Sequence, residues 1–116
     1  MQFSSSLKKN HIFRRLYATK GYANSYFVLY ARSNRTEQNR IGFTVSKKLG
    51  HAVVRNRIRR RLREVYRLHE SYFLPGWDIV VVARTRSVDA SFDKLTHAFL
   101  SLAAKAALLY VEVPEP

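Results

Sequence analysis

Lys47-Lys48-Leu49-Gly50-His51-Ala52-Val53-Val54-Arg55-Asn56-Arg57-Ile58-Arg59-Arg60-Arg61-Leu62-Arg63-Glu64 is the stretch on which the fold turns. Gly50 supplies a turn after a short basic connection, and the spacing beyond it predicts a long helix over residues 51–72. Val54, Ile58, Leu62, Val65 and Tyr72 recur at helical intervals and form a core stripe. With each residue advancing about 100°, Asn56, Arg59, Arg60, Arg63 and Arg67 fall together on the opposite side. Arg55 and Arg57 flank that side, and Arg61 lies at the edge of the stripe, where it is expected to snorkel outward. Residues 55–63 hold six arginines in nine positions, and Glu64 is the one carboxylate beside them. A merely solvated helix face mixes signs to gain i,i+4 pairs; this one does not.

The flanking sequence supplies the other elements. Asn10 is placed to cap a first short helix that carries the i,i+4 pairs Ile12/Leu16 and Phe13/Tyr17 and stops near Gly21. Residues 22–31 read as a strand with Tyr26, Val28 and Tyr30 on one face and Phe27 and Leu29 on the other. Residues 32–39 are polar and read as a hairpin loop. A second strand over 40–46 then turns Ile41, Phe43 and Val45 one way. Small residues (Gly42, Thr44, Ser46) face the other way and leave space above the sheet. Pro75-Gly76 is a turn, and residues 77–83 are almost all apolar, as in a strand buried on both faces. Ser91 caps a last helix with Asp93 in its first turn and Leu95, Ala98, Phe99, Leu102, Ala106 and Leu109 as its stripe. The expected order is α-β-β-α-β-α in a single domain over 1–116, with 1–7 and 111–116 as frayed ends.

Composition narrows the function. The chain has 116 residues, 47% of them hydrophobic, with 7 Phe and 7 Tyr, enough for a real core. It has no cysteine, which removes disulfides, thiolate metal sites and a cysteine nucleophile. It has no apolar run long enough for a membrane helix and no secretory pattern at its start, so a cytoplasmic location is expected. Its 21 Lys and Arg stand against 8 Asp and Glu, a net charge of +13. Nearly all of the excess lies in residues 1–70, with 17 basic and 3 acidic side chains. Such a field favours a polyanionic partner, and the globular remainder favours nucleic acid over a lipid surface. Arginine suits that role because its planar fork binds phosphate oxygens in pairs and stacks on bases. Lys47, Lys48 and the N–H groups at the helix start add to the site. Beside it, Tyr26 and Tyr30 on the first strand and Phe13 and Tyr17 on the first helix can form a stacking platform for unpaired bases. The alternative for each ring is a place in the core.

The stretch 47–64, with its Arg55-Asn56-Arg57 centre, resembles the signature of the protein subunit of bacterial ribonuclease P. The likeness continues through Arg40-Ile41-Gly42-Phe43-Thr44-Val45-Ser46 and Phe27-Val28-Leu29-Tyr30, and covers roughly residues 8–110. It implies an α+β fold, an α/β sandwich resembling the second domain of ribosomal protein S5. In that fold the arginine helix is a left-handed β-α-β crossover, a rare exception to the usual hand. It also implies a part in removing the 5′ leader of precursor tRNA, with Mg²⁺-dependent cleavage performed by the RNA subunit and no cofactor held by the protein alone. By position, Phe13, Tyr17, Tyr30, Thr44 and Ser46 would line the leader cleft, while Lys48, Arg55, Asn56, Arg57, Arg59, Arg60 and Arg63 would meet the catalytic RNA.

Two other functions compete. A protein nuclease needs converging carboxylates or histidines, and neither the scattered acids nor His11, His51, His69 and His97 have such spacing. A non-enzymatic RNA-binding module, such as a ribosomal protein, shares the charge but predicts no preference for a 5′ leader.

Overall fold

The computed structural model describes residues 4–7 and 10–110 of the chain. Its elements run Ser4–Ser6 (β1), Asn10–Tyr17 (α1), Tyr22–Ala23 (β2), Phe27–Ser33 (β3), Asn39–Thr44 (β4), Ala52–His69 (α2), Trp77–Ala83 (β5) and Phe92–Lys105 (α3). One-turn 3₁₀ segments lie at Lys47–Leu49, Glu70–Tyr72 and Thr85–Ser87.

The apolar run of β5 decides the topology. Ile79, Val80 and Val81 are fully buried, so both faces and both edges of this strand must be covered. The sheet accordingly has the order β1-β4-β5-β3-β2. β5 pairs antiparallel with β3 from Phe27↔Ala83 to Ser33↔Trp77 and parallel with β4 from Arg40↔Asp78 to Thr44↔Val82. The parallel pair is joined by α2, so the arginine helix is a β-α-β crossover, and the fold is a mixed α+β one. The expectation of a hairpin over residues 32–39 does not hold. β5 inserts between β3 and β4 because its apolar run needs a neighbour on each edge.

Two apolar clusters sit on the two faces. Phe27, Leu29, Ile41, Ile79 and Val81 meet Ile58, Leu62, Val65 and Tyr66 of α2 and Leu95, Phe99 and Leu102 of α3. On the other face Leu7, Ile12, Leu16 and Val80 form a smaller cluster under α1, with Phe13 and Tyr30 against it.

Three boundaries differ from expectation for local reasons. The strand over 22–31 is broken, because Asn24 Oδ1 accepts from the Tyr26 and Phe27 amides, both at 2.9 Å, and its Nδ2 donates to the Ala98 carbonyl. That is an Asx turn, for which Asn24-Ser25 was the signal. The expected frayed stretch 1–7 contains β1, paired parallel with β4 from Ser4↔Asn39 to Ser6↔Ile41; residues 111–116 lie outside the described ones, as does the side chain of Asn10. The long helix stops at His69 and tightens to a 3₁₀ turn, which advances each residue by a third of a circle. Tyr72 is thereby turned out to 43% exposure instead of joining the stripe, and Tyr66 and Phe73 take the interior positions.

Tyr66 carries its hydroxyl to Ser4 Oγ at 2.7 Å and toward Asn39 Nδ2 at 3.4 Å. Burial pushes this phenol above its ordinary value, with the hydrogen bonds to Ser4 and Asn39 pulling the other way. A raised folded pKa gives stability that is complete below the unfolded value of about 10 and is lost as pH rises through the folded one. Tyr66→Phe is therefore expected to remove part of the alkaline loss of stability, read from denaturation midpoints across that range.

Ser91 caps α3 as expected, accepting from the Lys94 amide at 3.2 Å. At the other end Ala107 has φ 60°, with Leu108 N–H donating to the Ala103 carbonyl at 3.0 Å. This is the left-handed helix stop usually given to glycine. The Cβ there costs about 1–2 kcal/mol, and glycine's extra chain entropy returns part of that. Ala107→Gly is expected to stabilise the fold by about 0.5–1 kcal/mol, measured as a higher denaturation midpoint at unchanged m value.

Candidate nucleic-acid interface

α2 is held to the sheet by one side only. Ile58, Leu62 and Val65 are buried, whereas Asn56, Arg57, Arg60, Arg63 and Arg67 are exposed along the opposite side. Arg60, Arg63 and Arg57 make no ion pair among the described residues, where the only two are Arg40–Asp78 and Arg67–Glu64. Lys47 and Lys48 are exposed on the 3₁₀ turn that leads into the helix. His51, at the N-cap, makes no side-chain cap, and no acid stands in the first turn, so the amides of that turn remain open to an anion.

Four arginines of the helix are engaged or covered in ways their wheel positions do not show. Arg67 is held by the Glu64 carboxylate, through its Nε at 3.1 Å and a second contact from Nη2. The pair lowers the Glu64 pKa and raises that of Arg67, in each case mainly through this hydrogen bond. Arg67 is thus the one expected RNA contact whose charge is already matched. Arg61 does not snorkel into solvent; its Nη2 donates to the Ala90 carbonyl at 2.9 Å and fastens the loop before α3. Arg59 is half-buried, donating to Asn56 Oδ1 at 3.0 Å and reaching the Val45 carbonyl. Arg55 is also half-buried, and its Nε has no hydrogen-bond partner.

The aromatic group assembles on the other face of the sheet. α1 lies across β3 and β5, and Tyr17 stands edge-on to Tyr30 with centroids 5.2 Å apart, while Phe13 is 6.4 Å from Tyr17. Tyr17 Oη is 3.3 Å from Thr44 Oγ1. Glycine at 42 makes room for α1: a Cβ there would lie 2.9 Å from the tip of the Phe13 ring and 3.3 Å from Leu7 Cβ, so the ring would have to shift. Beyond α1 the half-buried Val28 and Val82, cross-strand partners, form an apolar floor beside Thr44. Sequence reasoning did not assign these two valines to the cleft; their alternation with the buried Phe27, Leu29 and Val81 was the available signal. Ser46 is exposed at the end of this floor, just before Lys47 and Lys48. The cleft and the arginine ridge therefore meet at the β4–α2 connection.

Tyr26 does not belong to this group. The Asn24 turn removes it from the strand, and it packs beside Phe27 against the larger core, with the Arg86 guanidinium 5.4 Å over its ring. Among the described residues no three His, Asp or Glu side chains come together as a metal-binding group, and no helix is long and apolar enough to cross a membrane.

The family model described as Ribonuclease P matches residues 1–107. The chain belongs to the ribonuclease P protein family. The chain is 41% identical over 109 residues to the ribonuclease P protein component of Natranaerobius thermophilus, covering 93% of this chain and 95% of that one. Its fold matches the RNase P protein of Staphylococcus aureus with a TM-score of 0.82 at 36% identity, over 90% of this chain and 96% of that chain. It matches the RNase P protein of Thermotoga maritima with a TM-score of 0.80 at 28% identity, over 86% and 96% of the two chains. Membership makes the chain a subunit of the endoribonuclease that processes tRNA 5′ ends.

Proposed function

We propose that the protein divides its two surfaces between two RNAs. The arginine ridge of α2, with Lys47 and Lys48, docks on the phosphates of the catalytic RNA. The cleft bounded by Phe13, Tyr17, Tyr30, Thr44 and Ser46 takes the single-stranded 5′ leader of precursor tRNA. Hydrolysis belongs to the RNA subunit and its Mg²⁺; the protein binds no cofactor of its own and works in the cytoplasm. The observation that carries this reading is the two-sided α2: a buried apolar stripe beneath guanidinium groups at Arg57, Arg60 and Arg63 that make no ion pair among the described residues. Such a ridge is electrostatically costly in the free protein and gains when polyphosphate releases its counterions. Rings beside a cationic groove hold bases through their π-faces without reading sequence.

The test is reconstitution. Added to the partner RNA and precursor tRNA at low Mg²⁺, the protein is expected to restore cleavage at the mature 5′ end. A protein that leaves the Mg²⁺ requirement of the RNA unchanged would contradict the reading and favour a purely structural RNA-binding module.

A further inference from the structure

A second cationic feature lies on the α1 face of the sheet, across α1 from the aromatic cleft. Arg15 of α1, Arg32 at the end of β3, Arg35 in the following loop and Arg40 of β4 surround a hollow of about 350 Å³. Its one carboxylate, Asp78, is 8% exposed and already satisfied. Arg40 Nε and Nη2 grip its two oxygens at 2.7 and 2.6 Å, and Asn34 Nδ2 adds a third bond at 3.1 Å. Arg15, Arg32 and Arg35 are exposed and make no ion pair among the described residues. Glu37, the nearest acid in sequence, lines a different hollow with Ser71, Phe73, Pro75 and Tyr110.

The loop that presents Arg35 is built to hold one shape. Asn34 Oδ1 accepts from the Thr36 amide and hydroxyl, Asn34 Nδ2 donates to the Gln38 carbonyl, and the Asn34 amide donates to the Gly76 carbonyl. Within this frame Arg35 is forced to φ 59°, a conformation a long side chain rarely adopts. A fixed loop, a neutralised carboxylate and three spare guanidinium groups around one hollow describe an anion site, with the bidentate geometry that suits a phosphodiester.

Its position selects the anion. Arg32 shares the sheet face of Tyr30, two residues away on β3, whereas α2 packs on the other face. An RNA docked on the α2 ridge would have to round the sheet edge to reach it. A strand lying in the cleft has only to cross α1, past the exposed Arg14. From Thr44 to Arg40 is about 13 Å of β-strand, roughly four nucleotides at stacked spacing. We propose that this arginine hollow binds a backbone phosphate of the leader upstream of the nucleotides in the aromatic cleft. The inference rests on the leader-binding role proposed above.

The experiment uses the reconstituted complex of protein and partner RNA with two precursor tRNAs. One leader just fills the cleft; the other is longer by about four nucleotides. For Arg32→Gln with Arg35→Gln, the long-leader precursor is expected to bind several-fold more weakly, with a salt slope smaller by about 0.7 as that one phosphate contact goes. The short-leader precursor is expected to keep its wild-type affinity. Arg15→Gln, on a separate element, is expected to show the same length-dependent loss, and unchanged melting temperatures verify that each variant is folded. An equal loss for both leaders, or no loss for either, overturns the inference. If the wild-type complex itself does not distinguish precursor from mature tRNA, the leader-binding role fails with it. A wild-type preference that the variants retain at both lengths sinks the hollow alone.

The same hollow makes a stability prediction. Asp78→Ala leaves the half-exposed Arg40 without its two charged hydrogen bonds and frees Asn34, and the fold is expected to be less stable. Urea denaturation measures it as a lower midpoint.

Discussion

With Arg60 and Arg63 both replaced by glutamine, the protein is expected to become slightly more stable and to bind the catalytic RNA about a hundredfold more weakly. The two effects share one cause. Arg57–Arg60, Arg60–Arg63, Arg59–Arg63 and Arg63–Arg67 are like-charged neighbours three or four residues apart on α2. Each such pair costs a few tenths of a kcal/mol. Glu64, the carboxylate of this helix face, is engaged by Arg67. Removing two charges relieves about 0.5–1 kcal/mol in the free protein, after allowing for the lost proximity of Arg60 to Glu64. In the complex the same change deletes two charge-assisted phosphate contacts, at about 1.5 kcal/mol each, or about tenfold apiece. The slope of log affinity against log salt should fall by roughly 1.5 in magnitude. Both side chains are exposed and make no ion pair among the described residues, so an unchanged or higher melting temperature separates the binding loss from misfolding. Arg67→Gln is the internal comparison: with its charge already matched by Glu64, it should change the slope least among the ridge arginines.

Tyr17→Ala is expected to weaken precursor tRNA in the holoenzyme by about 1–3 kcal/mol if one base is stacked there, while sparing affinity for the catalytic RNA. Tyr17 is the sharper probe of the cleft because it is 42% exposed and edge-on to Tyr30. Tyr30 is half-buried against the smaller core, and a Cβ on Gly21 would come within 2.8 Å of its ring, so truncating Tyr30 would disturb packing as well as binding. Direct binding of precursor and mature tRNA by the variant holoenzyme checks the expectation. Equal weakening of both would place Tyr17 outside the leader path.

Much of this was legible in the sequence, and the exceptions have physical reasons. Val54, Ile58, Leu62 and Val65 announced the buried side of α2 because a helix packed on a sheet must show an apolar stripe at its own period. Ser91 and Asp93 announced the start of α3 because capping is local. What depended on distant partners was not readable. Insertion of β5 between β3 and β4 is a property of three strands at once, and a polar loop between two strands looks the same whether or not they pair. β1 has no apolar signal, being Ser4–Ser6 on the sheet edge. In the site, the wheel set Arg60, Arg63 and Arg67 on the exposed side of α2, but could not show that Arg59 turns toward the Val45 carbonyl or that Arg61 finds the Ala90 carbonyl. Tyr26 was misplaced because Asn24 breaks the alternation that put it beside Tyr30. The arginine hollow escaped notice because its four residues come from a helix, two strands and a loop, with no shared period.

The affinity of the reconstituted complex for precursor against mature tRNA, measured at one salt concentration and one Mg²⁺ concentration, tests the central claim most directly. If one surface grips the catalytic RNA while the other holds the leader, adding the protein tightens the precursor and leaves the mature product nearly unchanged. A protein that tightens both alike, or neither, would contradict it.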